Sequence, residues 1–191
     1  MGDSTSAYFE ESAETIRQTR QRLARRIAQA VEVIVAAFRA GGRLLVFGNG
    51  GSAADAQHMA AELVGRYLKD RPPLDAQALT TDTSTLTSLA NDYGFESVFA
   101  RQVEAAGRKG DVAVGISTSG DSANVAAALA KARELGMKTV ALTGEGGGKC
   151  ACVADILLDV PSKATPHVQE AHAVIYHAIC QGVEEELFGD A

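Results

Sequence analysis

LLVFGNGGS, residues 44–52, is an apolar run that ends in a glycine-rich turn, and VAVGISTSGDS, residues 112–122, repeats the arrangement with serine. Each run has the length of a buried β-strand, and each turn is followed by sequence with helical periodicity. A turn between a strand and a helix points backbone N–H groups and a helix N-terminus at an anion. The two turns together predict a ligand with a phosphate at one end and hydroxyls at the other.

Strand-like and helix-like segments alternate around these turns. The apolar runs with strand character lie at residues 43–47, 76–80, 112–116, 139–142 and 156–160. The runs with helical character lie at residues 53–67, 83–90, 96–106, 123–135 and 167–188. This alternation predicts an α/β fold, a three-layer αβα sandwich with a five-stranded parallel sheet and ligands at the carboxyl ends of the strands.

The segment before the first strand predicts one long helix over residues 7–40. Its apolar residues recur at helical steps, and Gly41-Gly42 follows as a stop signal. This helix has no strand of its own to cover, so we expect it to pack across a subunit boundary. Its arginines could form a phosphate-binding patch, but a solvated helix face is the favoured interpretation. They are Arg17, Arg20, Arg22, Arg25 and Arg26.

The composition is that of an ordinary globular protein. Its 191 residues fit one domain, and a net charge of −6 gives no attraction for nucleic acid or an anionic membrane. The longest nearly apolar stretch, residues 31–38, contains Glu32 and is too short to span a bilayer. Cys150, Cys152 and Cys180 are odd in number and lack metal-binding spacing, which predicts a reducing, cytoplasmic location.

The glycine turn also fits the loose dinucleotide-binding pattern G-x-G-x-x-[GA] at residues 48–53. That fold places an acidic residue about twenty positions further on, at the end of the second strand. Asp70 has this separation but precedes the second predicted strand, and Asp82 follows that strand at too great a distance. The dinucleotide interpretation is therefore a poor match, and the clustered hydroxyls of the second turn favour another ligand.

Two polar pairs on predicted helices are candidates for chemistry. His58 and Glu62 are four residues apart and share one helix face, where they could bind a metal, share a proton or form a plain surface contact. Because they lie near the predicted phosphate-binding turn, metal binding or proton sharing is favoured over a plain surface contact. On the last helix, Gln169 and His177 are eight residues apart, which is about 12 Å along the axis and too far for one metal on a regular helix.

Other polar residues are expected to have structural roles. We expect His167 and His172 to be surface or interface histidines. Ser52 and Ser122 stand at the starts of helical runs and are candidates for helix caps. NDYG at residues 91–94 is a turn signal whose first two residues could also reach the hydroxyls of a ligand.

Taken together, six blocks of the sequence resemble the phosphoheptose isomerases, a family with the sugar isomerase (SIS) fold. The blocks are GNGGS at 48–52, AQH at 56–58, ELVGRY at 62–67, NDYGF at 91–95, GISTSGDS at 115–122 and TPHVQEAH at 165–172. The resemblance covers residues 7–188. It implies a flavodoxin-like SIS domain over residues 1–191, with residues 1–41 as a helix used in oligomer packing and residues 42–191 as the α/β core.

The resemblance also implies an activity. Members of the family convert D-sedoheptulose 7-phosphate to D-glycero-D-manno-heptose 7-phosphate, the first step toward activated heptose for lipopolysaccharide and other surface glycans. They are homotetramers with one zinc ion per subunit, without a nucleic-acid or membrane partner. Ketose–aldose exchange needs a base and an acid, and we assign these catalytic roles to Glu62 and His177.

The family's site residues fall on matching positions of this chain. The implied zinc ligands are His58, Glu62, Gln169 and His177. The implied substrate contacts are Asn49, Gly50, Gly51, Ser52, Asn91, Asp92, Ser117, Thr118, Ser119, Ser122 and Gln169. The chain departs from some members at Pro166, where they carry an acidic residue, so no role of that acid is transferred.

Two other function classes share this fold. A relative that associates with the bacterial replication initiator lacks the last-helix histidine and has a degraded glycine loop, whereas this chain keeps Asn49, Gly50, Gly51, Glu62 and His177. The sugar-phosphate sensor of a transcription factor would need a basic, DNA-reading helical segment, which the sequence does not contain. The isomerase is therefore the leading interpretation.

Overall fold

A five-stranded sheet forms the centre of the computed structural model, which describes residues 2–189. The strands are β1 (Leu44–Gly48), β2 (Ala76–Ala78), β3 (Val112–Ser117), β4 (Lys138–Thr143) and β5 (Ile156–Asp159). Their order is β2-β1-β3-β4-β5, and every neighbouring pair is parallel. The predicted parallel, flavodoxin-like sheet is confirmed.

Within residues 2–189, six α-helices flank the sheet. They are α1 (Gly2–Arg39), α2 (Gly51–Val64), α3 (Thr83–Tyr93), α4 (Val98–Ala106), α5 (Ala123–Glu134) and α6 (Thr165–Phe188). Successive side chains of a strand point to opposite faces of the sheet. In β1, Val46 packs with α1, α2 and α6, and Phe47 packs with α4 and α5. The predicted three-layer sandwich is confirmed.

Two helices near the sheet edge end at positions other than those predicted. α2 ends at Val64, because Gly65 closes it with a backbone hydrogen bond to the last turn. α3 continues to Tyr93, so the turn predicted at residues 91–94 belongs mostly to the helix. The stop comes only at Gly94, which has a φ of +84°, a conformation that favours glycine.

The N-terminal helix packs on its own chain. Leu23, Val31 and Ile34 of α1 share an apolar core with Ile175 and Val183 of α6. Burial of each large apolar side chain stabilises the fold by about 1.5–3 kcal/mol. These contacts show that α1 is part of the chain's own helical layer, and its expected contact with another subunit stays a prediction.

The arginines of α1 are exposed. Arg22 and Arg26 form ion pairs with Asp159 at 3.7 and 3.2 Å, and each arginine side chain stays 51% exposed. Arg17 pairs with Glu14 on the preceding turn. Because these guanidinium groups have carboxylate partners and solvent around them, the solvated-face interpretation holds for them, and exposed pairs of this kind contribute little stability.

Two histidines that were expected at the surface or at an interface are buried within the chain itself, so that prediction is wrong. His167 lies between Glu11 of α1 and Glu170, with N···O distances of 3.3 and 3.0 Å. His172 is fully buried, and its Nε2 lies 3.1 Å from the carbonyl oxygen of Thr143 at the end of β4. The reason is that α6 is covered by α1 near one histidine and by the sheet near the other.

The buried His172 should make the fold less stable in mild acid. Burial lowers the pKa of this imidazole from 6.5 to about 4, although the hydrogen bond to Thr143 opposes the shift. Between these values the unfolded chain binds a proton that the folded chain does not. The stabilisation is therefore complete above the unfolded pKa of about 6.5, and we expect the free energy of unfolding to fall by about 2 kcal/mol by about pH 5.

Urea unfolding of the wild type and of His172→Gln at neutral and mildly acidic pH measures this effect. Glutamine keeps a donor for the Thr143 carbonyl but does not titrate, so the variant should lack this part of the pH dependence. An equal loss of stability in both proteins would contradict the assignment.

Candidate active site

The glycine and serine loops begin at the same edge of the sheet. β1 and β3 are neighbours, with Gly48 opposite Ile116, so residues 49–52 and 118–122 follow adjacent strand ends. A Cβ at Gly48 would lie 2.8 Å from the carbonyl oxygen of Ile116. Only a glycine at this position lets the two loops approach each other so closely.

A reciprocal amide pair joins the two loops. Asn49 donates from Nδ2 to Oδ1 of Asn124 at 2.8 Å, and Asn124 donates back at the same distance. Asn124 is buried, and its Oδ1 also accepts the backbone N–H of Val125. Asn124 was not among the site residues predicted from the sequence. Its signal was a lone amide in the otherwise apolar first turns of α5, two residues after Ser122.

The serine loop is ordered by its own hydroxyls. The Oγ atoms of Ser117 and Ser122 are 2.9 Å apart, and Ser119 Oγ accepts a backbone N–H at 3.1 Å. Gly120 has a φ of +72°, and a Cβ there would lie 2.3 Å from the carbonyl oxygen of Gly147. The loop is therefore packed against the glycine-rich segment that follows β4.

The two serines expected to cap helices do not do so. Ser52 lies inside the first turn of α2, whose N-cap is Gly50. Ser122 stands at the N-cap of α5, but its hydroxyl makes no capping hydrogen bond and pairs with Ser117 instead. The hydrogen bond between the hydroxyls of Ser122 and Ser117 explains why Ser122 does not cap α5. The first N–H groups of α2 thus have no capping side chain, a condition that suits an anion site.

Three side chains that could hold a metal ion meet where α2 packs on α6. His58 Nε2 and Glu62 Oε1 are 3.0 Å apart, and the ring centroids of His58 and His177 are 5.0 Å apart. One ligand atom from each of the three residues lies within 4.8 Å of the others. Nitrogen and oxygen donors at these separations fit zinc, which in catalytic sites takes three protein ligands and keeps a fourth position open.

Two tyrosines fix the orientation of the imidazole rings. The Tyr176 hydroxyl lies 3.1 Å from His58 Nδ1, and the ring of Tyr67 stacks on His177 with centroids 5.8 Å apart. Burial raises the pKa of Tyr176 to about 12, so the phenol stays protonated. A polar partner on the second ring nitrogen is the usual support of a metal-binding histidine.

Gln169 lies one turn of α2 nearer the glycine loop. Its Nε2 donates to Asp55 Oδ2 at 3.2 Å, and a Cβ on Gly51 would lie 2.3 Å from the same nitrogen. Burial raises the pKa of Asp55, while Gln169 and the nearby His58 act in the opposite direction. Asp55 was not among the predicted site residues, although its position three residues before His58 places it on the same helix face.

α2 and α6 run side by side in the same direction. Gln169 contacts Asp55 near the start of α2, and His177 lies beside His58 on the following turn. Gln169 and His177, about 12 Å apart along α6, thus contact α2 at different residues, Gln169 at Asp55 and His177 at His58. Gln169 as a zinc ligand stays a prediction.

Asn91 and Asp92 lie apart from these groups. They occupy the exposed last turn of α3, where Asn91 Nδ2 donates to Asp92 Oδ1 at 2.8 Å. Among the described residues, no hydrogen bond joins either side chain to the other predicted site residues.

The two acidic residues considered for dinucleotide binding do not lie at the end of the second strand as that fold requires. Asp82 caps α3 by accepting the Thr85 N–H at 2.9 Å, and Asp70 is exposed in the segment before β2.

Comparisons with known proteins show which family this chain belongs to. Residues 7–144 match the model of the SIS domain family. A phosphoheptose isomerase of Rhodospirillum rubrum is 57% identical over 161 residues, which cover 84% of this chain and 86% of that protein. The solved phosphoheptose isomerase of Neisseria gonorrhoeae is 46% identical with a TM-score of 0.91, covering 96% of this chain and 98% of that chain. The solved phosphoheptose isomerase of Francisella tularensis is 41% identical with a TM-score of 0.93, covering 96% and 97%. This chain therefore belongs to the SIS domain family and, within it, to the phosphoheptose isomerases.

Proposed function

We propose that this chain interconverts D-sedoheptulose 7-phosphate and D-glycero-D-manno-heptose 7-phosphate, as the first step toward activated heptose for lipopolysaccharide or other surface glycans. The observation that supports this most directly is the cluster of His58 and Glu62, on the helix that begins at the glycine loop, with His177 of the neighbouring α6. Acid–base groups and an anion-binding turn stand at the two ends of one site. They match the reacting end and the phosphate end of a sugar phosphate.

Glu62 and His177 are the proposed proton-transfer groups. Isomerisation passes through a cis-enediolate: a base removes the C1 proton of the ketose while an acid protonates the C2 carbonyl oxygen. The base then returns a proton to C2 while the acid group takes up the proton of the C1 hydroxyl, which leaves the aldehyde at C1. Glu62 is the base, and its side chain is 22% exposed and so reachable by a substrate. His177 is the acid, held by the rings of Tyr67 and Tyr176. A glutamate base beside a histidine electrophile also serves triosephosphate isomerase.

One zinc ion per subunit is part of this proposal. His58, Glu62 and His177 would hold it, and Gln169 is the fourth candidate. When bound, zinc polarises the carbonyl of the substrate as a Lewis acid. A cation also stabilises the ionised form of a carboxylate, so the ligand and base roles of Glu62 oppose each other.

The phosphate end of the substrate is proposed to lie between the two loops. The backbone N–H groups at Gly50 and Gly51 begin α2, and Ser117, Ser119 and Ser122 supply hydroxyls from the neighbouring strand end. Such N–H and hydroxyl groups can bind an anion although none of them carries a fixed positive charge. The other proposed substrate contacts are Asn49, Ser52, Asn91, Asp92, Thr118 and Gln169.

We also propose a homotetramer. Between α1 and α6 lies a groove of about 330 Å³ with apolar walls, and exposed apolar surface of this kind is typical of subunit contacts. Its apolar lining residues are Ile16, Ala24, Ile27, Ala171, Val174, Ile175 and Ala178. Light scattering on the eluted protein should give the mass of four chains, and a monomer mass would contradict the assembly.

A cytoplasmic location is proposed from the cysteines, all three of which are unpaired. Across residues 2–189, no helix has both the length and the apolar character needed to cross a bilayer. Nucleic acid and membranes are not proposed as partners, in line with the net charge of −6.

Incubation of the purified, zinc-loaded protein with sedoheptulose 7-phosphate tests the function. The aldose product carries a proton on its anomeric carbon and the ketose does not, so NMR separates the two directly. The expected result is the aldose signal. Absence of product, together with binding to a replication initiator, would instead favour the non-catalytic alternative.

Gly51→Ala should displace Gln169 without unfolding the chain. The new methyl group would lie 2.3 Å from Gln169 Nε2, which ends a flexible side chain and can move. Loss of one hydrogen bond to a charged substrate predicts a rise in KM of about tenfold, with little change in the thermal midpoint. Ala54→Ser, at an exposed position on the same turn of α2, is the control. An unchanged KM would contradict a role for Gln169 at the phosphate end.

A further inference from the structure

A buried ion pair lies beyond the histidine cluster, at the far end of the contact between α2 and α6. Arg71 belongs to the irregular segment that joins α2 to β2, and Glu184 belongs to α6. Their side chains are only 2% and 3% exposed, and Arg71 Nε lies 3.3 Å from Glu184 Oε1. Removing two charges from water costs several kcal/mol for each ion, so such a pair persists where additional hydrogen bonds offset the cost.

Arg71 donates most of these bonds to the end of α2. Its Nη2 donates to the carbonyl oxygen of Glu62 at 2.8 Å, and its Nη1 donates to the carbonyl oxygen of Leu63 at 2.6 Å. The last carbonyls of a helix have no partner within the helix. The guanidinium therefore fixes the terminal turn of α2, which is the turn that carries the proposed base.

Glu184 holds the next part of the chain. Its carboxylate accepts the backbone N–H of Leu68 at 2.7 Å and of Lys69 at 3.1 Å. The residue just before them is Tyr67, whose ring stacks on His177. The carboxylate thus fixes the backbone that places this ring on the proposed acid, which lies seven residues before Glu184 on α6.

We propose that Arg71 and Glu184 are positioning residues that set the geometry of Glu62 relative to His177. The proposal rests on the proposed isomerase function. One partner of the pair fixes the backbone of the base, the other fixes the aromatic support of the acid, and the ion pair joins the two. Proton transfer and metal binding both depend on distances of this kind, since a displacement of about 1 Å can cost a factor of about a hundred in rate.

Arg71→Lys tests the proposal. Lysine keeps the positive charge beside Glu184, but one ammonium group cannot reproduce the planar fork that reaches two carbonyls and a carboxylate together. We expect kcat to fall at least about tenfold, with KM for sedoheptulose 7-phosphate within about twofold, because the phosphate loops follow β1 and β3 and not this segment. Zn²⁺ affinity, measured by competition with a chromophoric chelator, should also fall at least about tenfold.

Glu185→Gln is the matched control, since Glu185 is the next residue of α6, is exposed and bonds to Gln181. It should leave kcat and Zn²⁺ affinity unchanged. If Arg71→Lys does not fold, Glu184→Gln carries the same expectation, because it keeps the side-chain size and an acceptor oxygen while removing the charge.

Measurements of kcat and of Zn²⁺ affinity distinguish a failure of the positioning role from a failure of the proposed isomerase function. A lower thermal midpoint with unchanged kcat and Zn²⁺ affinity, measured where the variant is fully folded, would mean a merely structural pair and would overturn the positioning role. A wild type without isomerase activity would refute the proposed function instead. In that case the Zn²⁺ affinities of wild type and variant still decide whether Arg71 sets the geometry of the cluster.

Discussion

Replacement of Glu62 by glutamine should lower kcat by about three orders of magnitude while the chain stays folded, because general base catalysis typically contributes factors of about a hundred to ten thousand. Glutamine keeps the size of the side chain and can still bond to His58, whose Nε2 lies 3.0 Å from Glu62 Oε1. It cannot accept the C1 proton. Steady-state kinetics with sedoheptulose 7-phosphate and circular dichroism measure the two parts of this prediction.

Glu134→Gln is the control for this substitution. Glu134 ends α5, at the opposite end of that helix from the serine loop, and pairs with Lys131 at the surface. Its loss should leave kcat unchanged. Turnover near the wild-type rate in Glu62→Gln would remove the base assignment. Zinc content separates the two roles of Glu62, because an amide oxygen remains a neutral ligand, and a lost kcat with zinc retained identifies the base.

Removal of bound metal by a chelator should lower kcat at least about a hundredfold, and added Zn²⁺ should restore it. Polarisation of a carbonyl by a metal ion supplies several kcal/mol of transition-state stabilisation, and about 2.7 kcal/mol corresponds to this factor. A ligand that binds only the folded chain also stabilises it. Zn²⁺ should therefore raise the thermal midpoint of the wild type, which gives a readout independent of activity.

Two histidine variants make this prediction specific. His58→Gln should lose the Zn²⁺-dependent rise in the thermal midpoint. His167→Gln should keep it, because His167 lies between Glu11 and Glu170 and outside the cluster. Full activity in protein shown by elemental analysis to contain no metal would rule out the zinc role.

The strand–turn–helix units were predictable because their signals are local. A continuous apolar run before Gly48 and another before Ser117 mark buried strands, and the glycines and serines after them mark turns. The pair His58 and Glu62 was predictable for the same reason, since a four-residue step on a helix puts two side chains on one face. Helix ends were less certain, because a single glycine such as Gly94 decides where the last turn stops.

Helical periodicity states which residues share a face but not which neighbouring helix covers it, and this explains the misses. It left His172 as a surface histidine, although the sheet covers it. It did not reveal that Asp55 pairs with Gln169 or that Arg71 pairs with Glu184, because both partners lie on α6, more than one hundred residues later in the chain. Contacts across such separations arise from the order of the strands and the burial of whole helices, and no local pattern records them.

Local sequence was thus sufficient for the parallel sheet, the two strand–turn–helix units and the pairing of His58 with Glu62 on one helix face. Long-range packing supplied the rest: the parallel alignment of α2 with α6, which carries His177 to His58, and the amide pair that joins the two loops. The physical reason is that backbone propensity and periodicity act over one or two helical turns. The chemistry proposed here depends on side chains that meet only when the helical layer has closed over the sheet.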